Sequence, residues 1–566
     1  MSNNPIKPHQ IDKFFKDRFG LLYLFLIIHI LFALILRATL IGYSRMQINH
    51  NLRTFLNIFL IGGFYDFISG IYLAIPLILY LTITPQKIFQ NRLNKLFVFL
   101  SFFIGIYILN FSALAEYTFW NEFGVRFNFI AVDYLIYTHE VIGNIRESYP
   151  LPLLLSVLFI ISLLTLWLIH KKITISLNSK DAWKSYLPKG IILLIIPIIA
   201  FFIIGGPYTS FSSNTFEKEL SLNGIYQLFS AFINNTIDFD QLYPRIDEKI
   251  ALQELSRLKH QDDPVFTPKK ITYHEDEKRY NFVLIMEESL SAKFLGDFGN
   301  KSHLTPNLDK IAKECLFFTR LYATGTRTTR GMEAVTLSIP PTPGRSIVKR
   351  PDNDNMFSLG FLFKQRGYDT KFIYSGYGYF DNMNAFFSKN GFDVIDRNNL
   401  KNEEISFANI WGVCDEDILI RVIKECDKSY QNQKPFFSYL MTTSNHRPFT
   451  YPEGKIDIPS HTNRDGGVKY ADYALGEFFK EAQKRPWFDN TIFVIIADHC
   501  AGSAGRSSLP VHRYHIPLFI YAPRLQGTIT RRWFSYSLKV AGRRPTQSPS
   551  NSNADFFSPL RQNLLV

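Results

Sequence analysis

The sequence predicts a two-part protein: an N-terminal bundle of five transmembrane helices, then an α/β domain with a mostly parallel central sheet. Three observations carry this. Five stretches within the first 206 residues each approach the roughly 20 apolar residues needed to cross a bilayer. Beyond residue 281, short apolar runs alternate with helix-like segments, the pattern of strands joined by crossover helices. Three of those runs stop at an acid or a histidine. At 566 residues the chain is also too long for one ordinary core.

The first 20 residues are mostly polar and include Lys7, Lys13, Lys16 and Arg18. Leu21 to Ile41 then carries a single charge, Arg37. It is too long for a signal-peptide core and lacks a small-residue cleavage site, so it reads as a retained membrane helix. Further spans fit 62–84, 96–117, 151–170 and 189–206. No polar face recurs along them, which favours lipid over a protein core as their surroundings. Asp66 inside the second span is costly in lipid unless it faces the bundle or the interface. The N-terminus and the 85–95 and 171–189 loops are basic, as cytoplasmic segments are. Five spans starting inside then put everything after about 206 outside the cytoplasm. The expectation is a multi-pass protein of the plasma (inner) membrane with an extracytoplasmic domain. The formal charge of +13 is spread beside the spans rather than gathered in one motif, so no nucleic-acid partner is expected.

Residues 207–280 read as a linker at the membrane surface, with an amphipathic stretch at Ile225–Phe232 and a charged helix at Asp247–Leu258. Asn281–Met286 then runs into Glu287-Glu288-Ser289, and Pro435–Met441 into Thr442-Thr443-Ser444-Asn445-His446. In the stretch 490–497 six apolar residues run unbroken up to Asp498-His499, which suits a central parallel strand buried on both faces. Helices are expected at Leu304–Glu314, Ser358–Gln365 and Tyr470–Ala482, and strands at Thr370–Ile373 and Ile516–Ala522. In open α/β sheets ligands bind beyond the carboxyl ends of strands. An Asp-His pair there offers an oxygen and an imidazole to a divalent metal, although a solvated turn would read the same. The four cysteines, Cys315, Cys414, Cys426 and Cys500, make no close metal-type pair and leave disulfides open.

Several motifs resemble the lipoteichoic-acid synthase and phosphoglycerol transferase branch of the sulfatase–alkaline phosphatase superfamily. They are Thr305-Pro306-Asn307-Leu308-Asp309, the hydroxyl-rich loop Ala323-Thr324-Gly325-Thr326-Arg327-Thr328-Thr329-Arg330-Gly331, Trp411-Gly412-Val413-Cys414-Asp415 and Asn445-His446-Arg447-Pro448. The Cys/Ser-x-Pro-x-Arg segment of true sulfatases is absent. The five-span anchor fits the same branch, and the likeness extends to about Pro523. The resemblance implies a sulfatase-like catalytic domain over 281–523 and a divalent metal, Mn²⁺ first and Mg²⁺ or Zn²⁺ as alternatives. Its ligands would be Glu288, Thr328, Asp498 and His499, with Thr328 also the nucleophile. His446, Trp411, Ser503 and Arg327 would contact substrate. Arg330 is left between a phosphate contact and a structural ion pair, and His515 is an outer-shell candidate. The implied reaction moves phosphoglycerol from phosphatidylglycerol, a membrane phospholipid donor, to an envelope glycan or polyol acceptor. The alternatives are a phosphoethanolamine transferase or phosphodiesterase of the same superfamily, or an inactive scaffold. Two departures stand out: Cys500 directly after Asp498-His499, and residues 524–566. The latter read as an atypical basic tail, either disordered or, preferred, from a frame-shifted or truncated end, with a catalytically impaired variant as an alternative.

Overall fold

The computed structural model describes residues 12–204, 209–233, 247–258, 278–339, 342 and 344–525. Most of the expected tail, 526–566, and parts of the expected linker lie outside the described residues. Helices α1 (Gly20–Tyr43), α2 (Leu52–Leu73), α3 (Ile75–Ile83), α4 (Arg92–Phe123), α5 (Phe129–Ile136), α6 (Thr138–Ser148), α7 (Leu151–Leu177) and α8 (Trp183–Ile203) form the N-terminal part. Among the described residues, five of these (α1, α2, α4, α7 and α8) are long and apolar enough to cross a membrane.

The second span lies some ten residues earlier than its apolar window suggests. Asn51 caps α2, its side chain accepting the Thr54 N–H, and the helix ends at Ala74. Pro76 lies at the start of the nine-residue α3, where its missing N–H is harmless, whereas inside one continuous helix it would break the ladder. The 62–84 window straddled that break. Asp66 consequently sits mid-helix and faces inward. Its Oδ1 accepts from Arg37 Nη2 at 2.7 Å, and both side chains are fully buried. Asn223 Nδ2 donates to the same oxygen at 2.9 Å, while Arg37 Nη1 donates to the Leu222 carbonyl at 2.9 Å. Gly62 makes the room, because a Cβ there would lie 2.2 Å from the Arg37 guanidinium carbon. This pair ties α9 (Thr215–Leu220) and α10 (Gly224–Ile233) to the bundle.

The second part is built on seven strands: β1 (Asn281–Glu287), β2 (Leu316–Tyr322), β3 (Asp369–Tyr374), β4 (Asp393–Ile395), β5 (Phe436–Met441), β6 (Thr491–Ala497) and β7 (His515–Tyr521). Their order is β2-β7-β6-β1-β5-β3-β4. The pairs β1–β5, β1–β6, β3–β5 and β3–β4 are parallel, whereas β6–β7 and β2–β7 are antiparallel. Alternate residues feed two cores. Val283 and Ile285 join one with helices α12 (Asp415–Gln431) and α13 (Arg464–Ala482). Leu284 and Met286 join the other with Met332 and Leu337 of α11 (Thr328–Leu337).

One expectation is corrected here. β6 is not flanked by parallel strands on both sides, and its burial alternates between full and partial. The centre belongs to β1, whose residues are buried almost throughout. The four cysteines are free thiols. Polar contacts join the two parts: Lys349 Nζ to Asp133 at 2.9 Å, Arg447 Nε to Glu122 at 2.6 Å, and Arg506 Nη2 to the Met46 carbonyl at 2.7 Å.

Candidate active site

β1 and β6 run parallel in register, with Glu287 opposite Ala497, so the residues that follow each strand emerge side by side. Ser289 turns the chain at φ 55°, and its N–H donates to Asp498 Oδ1 at 2.8 Å. Non-glycine residues seldom hold a positive φ, and such turns gather at functional sites. The Ser289 hydroxyl donates to Glu288 Oε1 at 2.5 Å, and Asn445 Nδ2 holds the Glu288 carbonyl at 2.8 Å. His499 N–H closes the turn on Asp498 Oδ1 at 2.6 Å.

The result is a compact donor cluster. One ligand atom each from Glu288, Asp498 and His499 lies within 4.8 Å of the others. His499 Nε2 stands 3.3 Å from Asp498 Oδ2 and 3.7 Å from Glu288 Oε1. Its Nδ1 is 2.9 Å from the Cys500 carbonyl, which fixes Nδ1 as the protonated nitrogen and leaves Nε2 a lone pair. Asp498 Oδ2 is buried with no hydrogen-bond partner. Two carboxylates and a bare imidazole nitrogen facing one another lack only a cation, so this donor set fits a divalent metal. The electrostatics agree. Burial and the adjacent Glu288 charge push the Asp498 carboxyl well above its usual range. Burial also pushes Glu288 up, but His499, His446, the Ser289 hydroxyl and Arg464 outweigh it and hold its pKa low. Burial lowers the His499 pKa against the opposing pull of the Glu288 carboxylate.

Thr328 opens α11, and its hydroxyl donates to Glu288 Oε2 at 3.2 Å. Arg327 before it is the extended N-cap residue, so Thr328 stands at the amino-terminal end of α11, a favourable place for an anionic group. Gly331 lets the helix come so close. A Cβ there would stand 2.5 Å from the Asp498 carbonyl oxygen.

Around the cluster lies a cavity of about 660 Å³. Glu288, Arg327, Thr328, Trp411, His446, His499 and Ser503 all line it, so the structure brings every expected substrate residue to one chamber; Asp498 stands just behind its wall. Trp411 is packed on the His446 ring, centroids 4.0 Å apart, and its indole N–H donates to the Arg447 carbonyl at 2.6 Å. Arg330 lies elsewhere, paired with Glu333 at 2.6 Å, which makes it a structural ion pair. The Cys500 thiol donates to the His515 carbonyl at 3.1 Å, and burial pushes its pKa up to about 11, so it faces away from the cluster as a neutral thiol. His515 Nε2 contacts the Thr319 carbonyl at 2.9 Å, placing it with the β2 edge.

Sequence reasoning missed the far wall. Phe111, Phe119, Phe123, Phe127, Phe129 and Leu135, all from α4, α5 and the turn between them, line the same cavity. Glu122, Arg447 and Arg464 line it too. Only proximity in the fold could have joined Glu122 to two arginines more than 300 positions away.

Comparison with known proteins agrees with this layout. A family model described as Sulfatase matches residues 280–559. The chain is 25% identical over 332 residues to lipoteichoic acid synthase 1 of Bacillus subtilis, covering 54% of this chain and 50% of that protein. It is 26% identical over 282 residues to phosphoglycerol transferase I of Citrobacter koseri, covering 45% of this chain and 36% of the relative. The chain thus spans half or less of the length of these curated relatives. The lipooligosaccharide phosphoethanolamine transferase A of Neisseria meningitidis, at 13% identity and a TM-score of 0.53, covers 90% of this chain and 89% of its own, and so shares the whole two-part fold. A solved protein of the alkaline phosphatase superfamily from Vibrio parahaemolyticus is 41% identical, covering 51% of this chain and 72% of its own at a TM-score of 0.47. The chain thus carries a Sulfatase-family domain and is similar to the lipoteichoic-acid synthase and phosphoglycerol transferase branch of the sulfatase–alkaline phosphatase superfamily.

Proposed function

We propose that this chain is a membrane-anchored, metal-dependent transferase that moves phosphoglycerol from phosphatidylglycerol to an envelope glycan or polyol. One observation carries the reading: the reactive hydroxyl and the phenylalanines of the membrane helices share one cavity of about 660 Å³. A phospholipid is the substrate that such a chamber suits, with its phosphate at Thr328 and its glycerol-linked chains against α4 and α5. The names of the curated relatives, a lipoteichoic acid synthase and a phosphoglycerol transferase, support the same head group.

In this reading Glu288, Asp498 and His499 hold a divalent cation beside Thr328, with Mn²⁺ the first choice. When bound, the cation offsets the negative charge of phosphoryl transfer and eases deprotonation of a nearby hydroxyl. Thr328 Oγ bonds to the donor phosphorus as the bond to diacylglycerol breaks, and diacylglycerol leaves with the proton. The acceptor hydroxyl then bonds to phosphorus, the Thr328 ester breaks, and Thr328 regains a proton. The α11 amides and Arg327 hold the phosphate during both halves, while Trp411 backs His446 so that its ring faces the head group; Ser503 lines the same chamber. The domain that follows residue 206 works outside the cytoplasm, in a multi-pass protein of the plasma membrane.

The deciding experiment incubates the purified full chain, with Mn²⁺, with labelled phosphatidylglycerol or phosphatidylethanolamine. Diacylglycerol released from phosphatidylglycerol, with glycerol phosphate passed to an added glycan or polyol, is the expected outcome. Turnover of phosphatidylethanolamine alone would make it a phosphoethanolamine transferase; release of head group to water alone would make it a phosphodiesterase.

A further inference from the structure

The head-group end of the cavity carries an unusual charge balance. Three carboxylates line it: Glu122, Glu288 and Asp381. Each is already engaged. Glu288 belongs to the metal-type cluster. Asp381 meets Lys349 Nζ at 3.0 Å. Glu122, reaching in from the end of α4, takes Arg447 Nε on one oxygen at 2.6 Å and Arg464 Nη2 on the other at 3.4 Å.

Guanidinium groups outnumber what these acids can balance. Arg447 and Arg464 both lie over the Phe449 ring, at 5.6 and 4.8 Å, and share the one Glu122 carboxylate between them. Arg464 Nη1 also donates to the Asn445 carbonyl at 3.3 Å, beside His446. Arg327 lies 4.7 Å over Phe123 on the anchor side of the cavity, and its Nη2 is buried with no hydrogen-bond partner. A buried donor left open at a cavity wall points to an acceptor that arrives with the ligand. A phosphodiester brings one negative charge to this surplus. An ammonium head group would bring a further cation among three guanidiniums, with no lining carboxylate left for it.

We infer that the Glu122–Arg447–Arg464 cluster, together with Arg327, is a specificity determinant that admits an uncharged polyol head group and rejects a cationic one. This rests on the transferase reading above. Glu122 is then a positioning residue: it holds the two arginines at the cavity, and its single negative charge is already shared between them. Like-charge contacts in a half-buried site discriminate strongly.

The test uses the full-length protein with Mn²⁺ in vesicles containing equal mole fractions of phosphatidylglycerol and phosphatidylethanolamine. Wild type is expected to favour phosphatidylglycerol by about tenfold or more. In Arg447→Ala/Arg464→Ala, with Glu122 released, that ratio falls about tenfold. Arg464→Lys retains the charge and the preference, and Glu122→Gln keeps or widens the preference. Thermal melting with soluble sn-glycerol 1-phosphate or O-phosphoethanolamine gives a readout free of turnover. Glycerol phosphate should raise the wild-type melting temperature more, and the gap should close in Arg464→Gln, the milder variant that serves should the double one not fold. A preference for phosphatidylethanolamine that Glu122→Gln abolishes would overturn the inference and make Glu122 an ammonium receptor. An unchanged ratio in the arginine variants, equal melting shifts from the two head groups, or none from glycerol phosphate, would overturn it as well. Inactivity on both lipids sinks the transferase reading instead, while the melting comparison still decides this one.

Discussion

Three threonine hydroxyls lie between residues 326 and 329, and the fold separates them. Thr326 and Thr328 line the cavity, but only Thr328 is hydrogen-bonded to the metal-type cluster, at 3.2 Å from Glu288. Thr329 is buried, and its carbonyl accepts the Ser346 hydroxyl at 3.0 Å, so it serves the packing of α11. Thr328→Ala is therefore expected to cut lipid turnover by at least about a thousandfold, the scale of losing a nucleophile. Thr328→Ser should keep measurable activity, and Thr329→Ala most of it. Mass spectrometry of donor-treated protein should find a phosphoglycerol adduct on the peptide carrying Thr328. An adduct on Thr326, or an active Thr328→Ala enzyme, would remove Thr328 from its role.

At the scale of elements, what was legible in the sequence was local. Glu288, Asp498 and His499 stand at the ends of long apolar runs, so strand and candidate ligand are read from the same dozen residues. Elements that depend on distant partners were not legible. β2, Leu-Phe-Phe-Thr-Arg-Leu-Tyr, is a half-exposed edge strand with Arg320 in its middle, and only antiparallel pairing with β7 makes it a strand. The helix over Asp415–Gln431 opens with three acids that hide its apolar face. That helix carries a pH-dependent clasp. Glu404 accepts from Lys424 Nζ at 2.8 Å, from Arg421 Nη1 at 3.2 Å and from the Lys401 N–H at 3.0 Å. The Lys424 bond, the largest cause, with the Lys401 N–H and Arg421, brings the carboxyl down from 4.5 to about 2. A lowered acid pKa stabilises the fold above the unfolded value and loses that effect as pH falls through the folded one. Glu404→Gln should cost about 1 kcal/mol at neutral pH, discounted for solvent screening. The difference in melting temperature from wild type should vanish as pH drops from 4.5 to about 2.

For the molecule as a whole, the five spans were legible because lipid leaves a composition that needs no partner to be read. The cavity was not, because its two walls come from opposite ends of the chain. Two outcomes follow at this scale. Removing divalent metal with a chelator should lower the melting temperature by about 5 °C, because Glu288 and Asp498 are then left facing each other without a cation; Mn²⁺ should restore it. An unchanged melting curve would mean that no metal is held there. For orientation, a cysteine introduced at Lys401 should react with a membrane-impermeant reagent on intact cells, and protection in a folded protein would reverse the assignment.

The double grip of Glu122 on Arg447 and Arg464 has a spatial consequence. It fastens the loop bearing His446 to the last turn of a spanning helix, so Thr328 is kept at a set height above the bilayer rather than roaming on a tether. An enzyme held this way has a short working radius. If it is the proposed transferase, donor lipids would reach it by diffusing in the plane of the membrane, whereas an acceptor would have to bring its free hydroxyl down to that plane. On the proposed reaction, acceptors anchored in the same leaflet, or flexible enough to fold back onto it, would be the ones it serves.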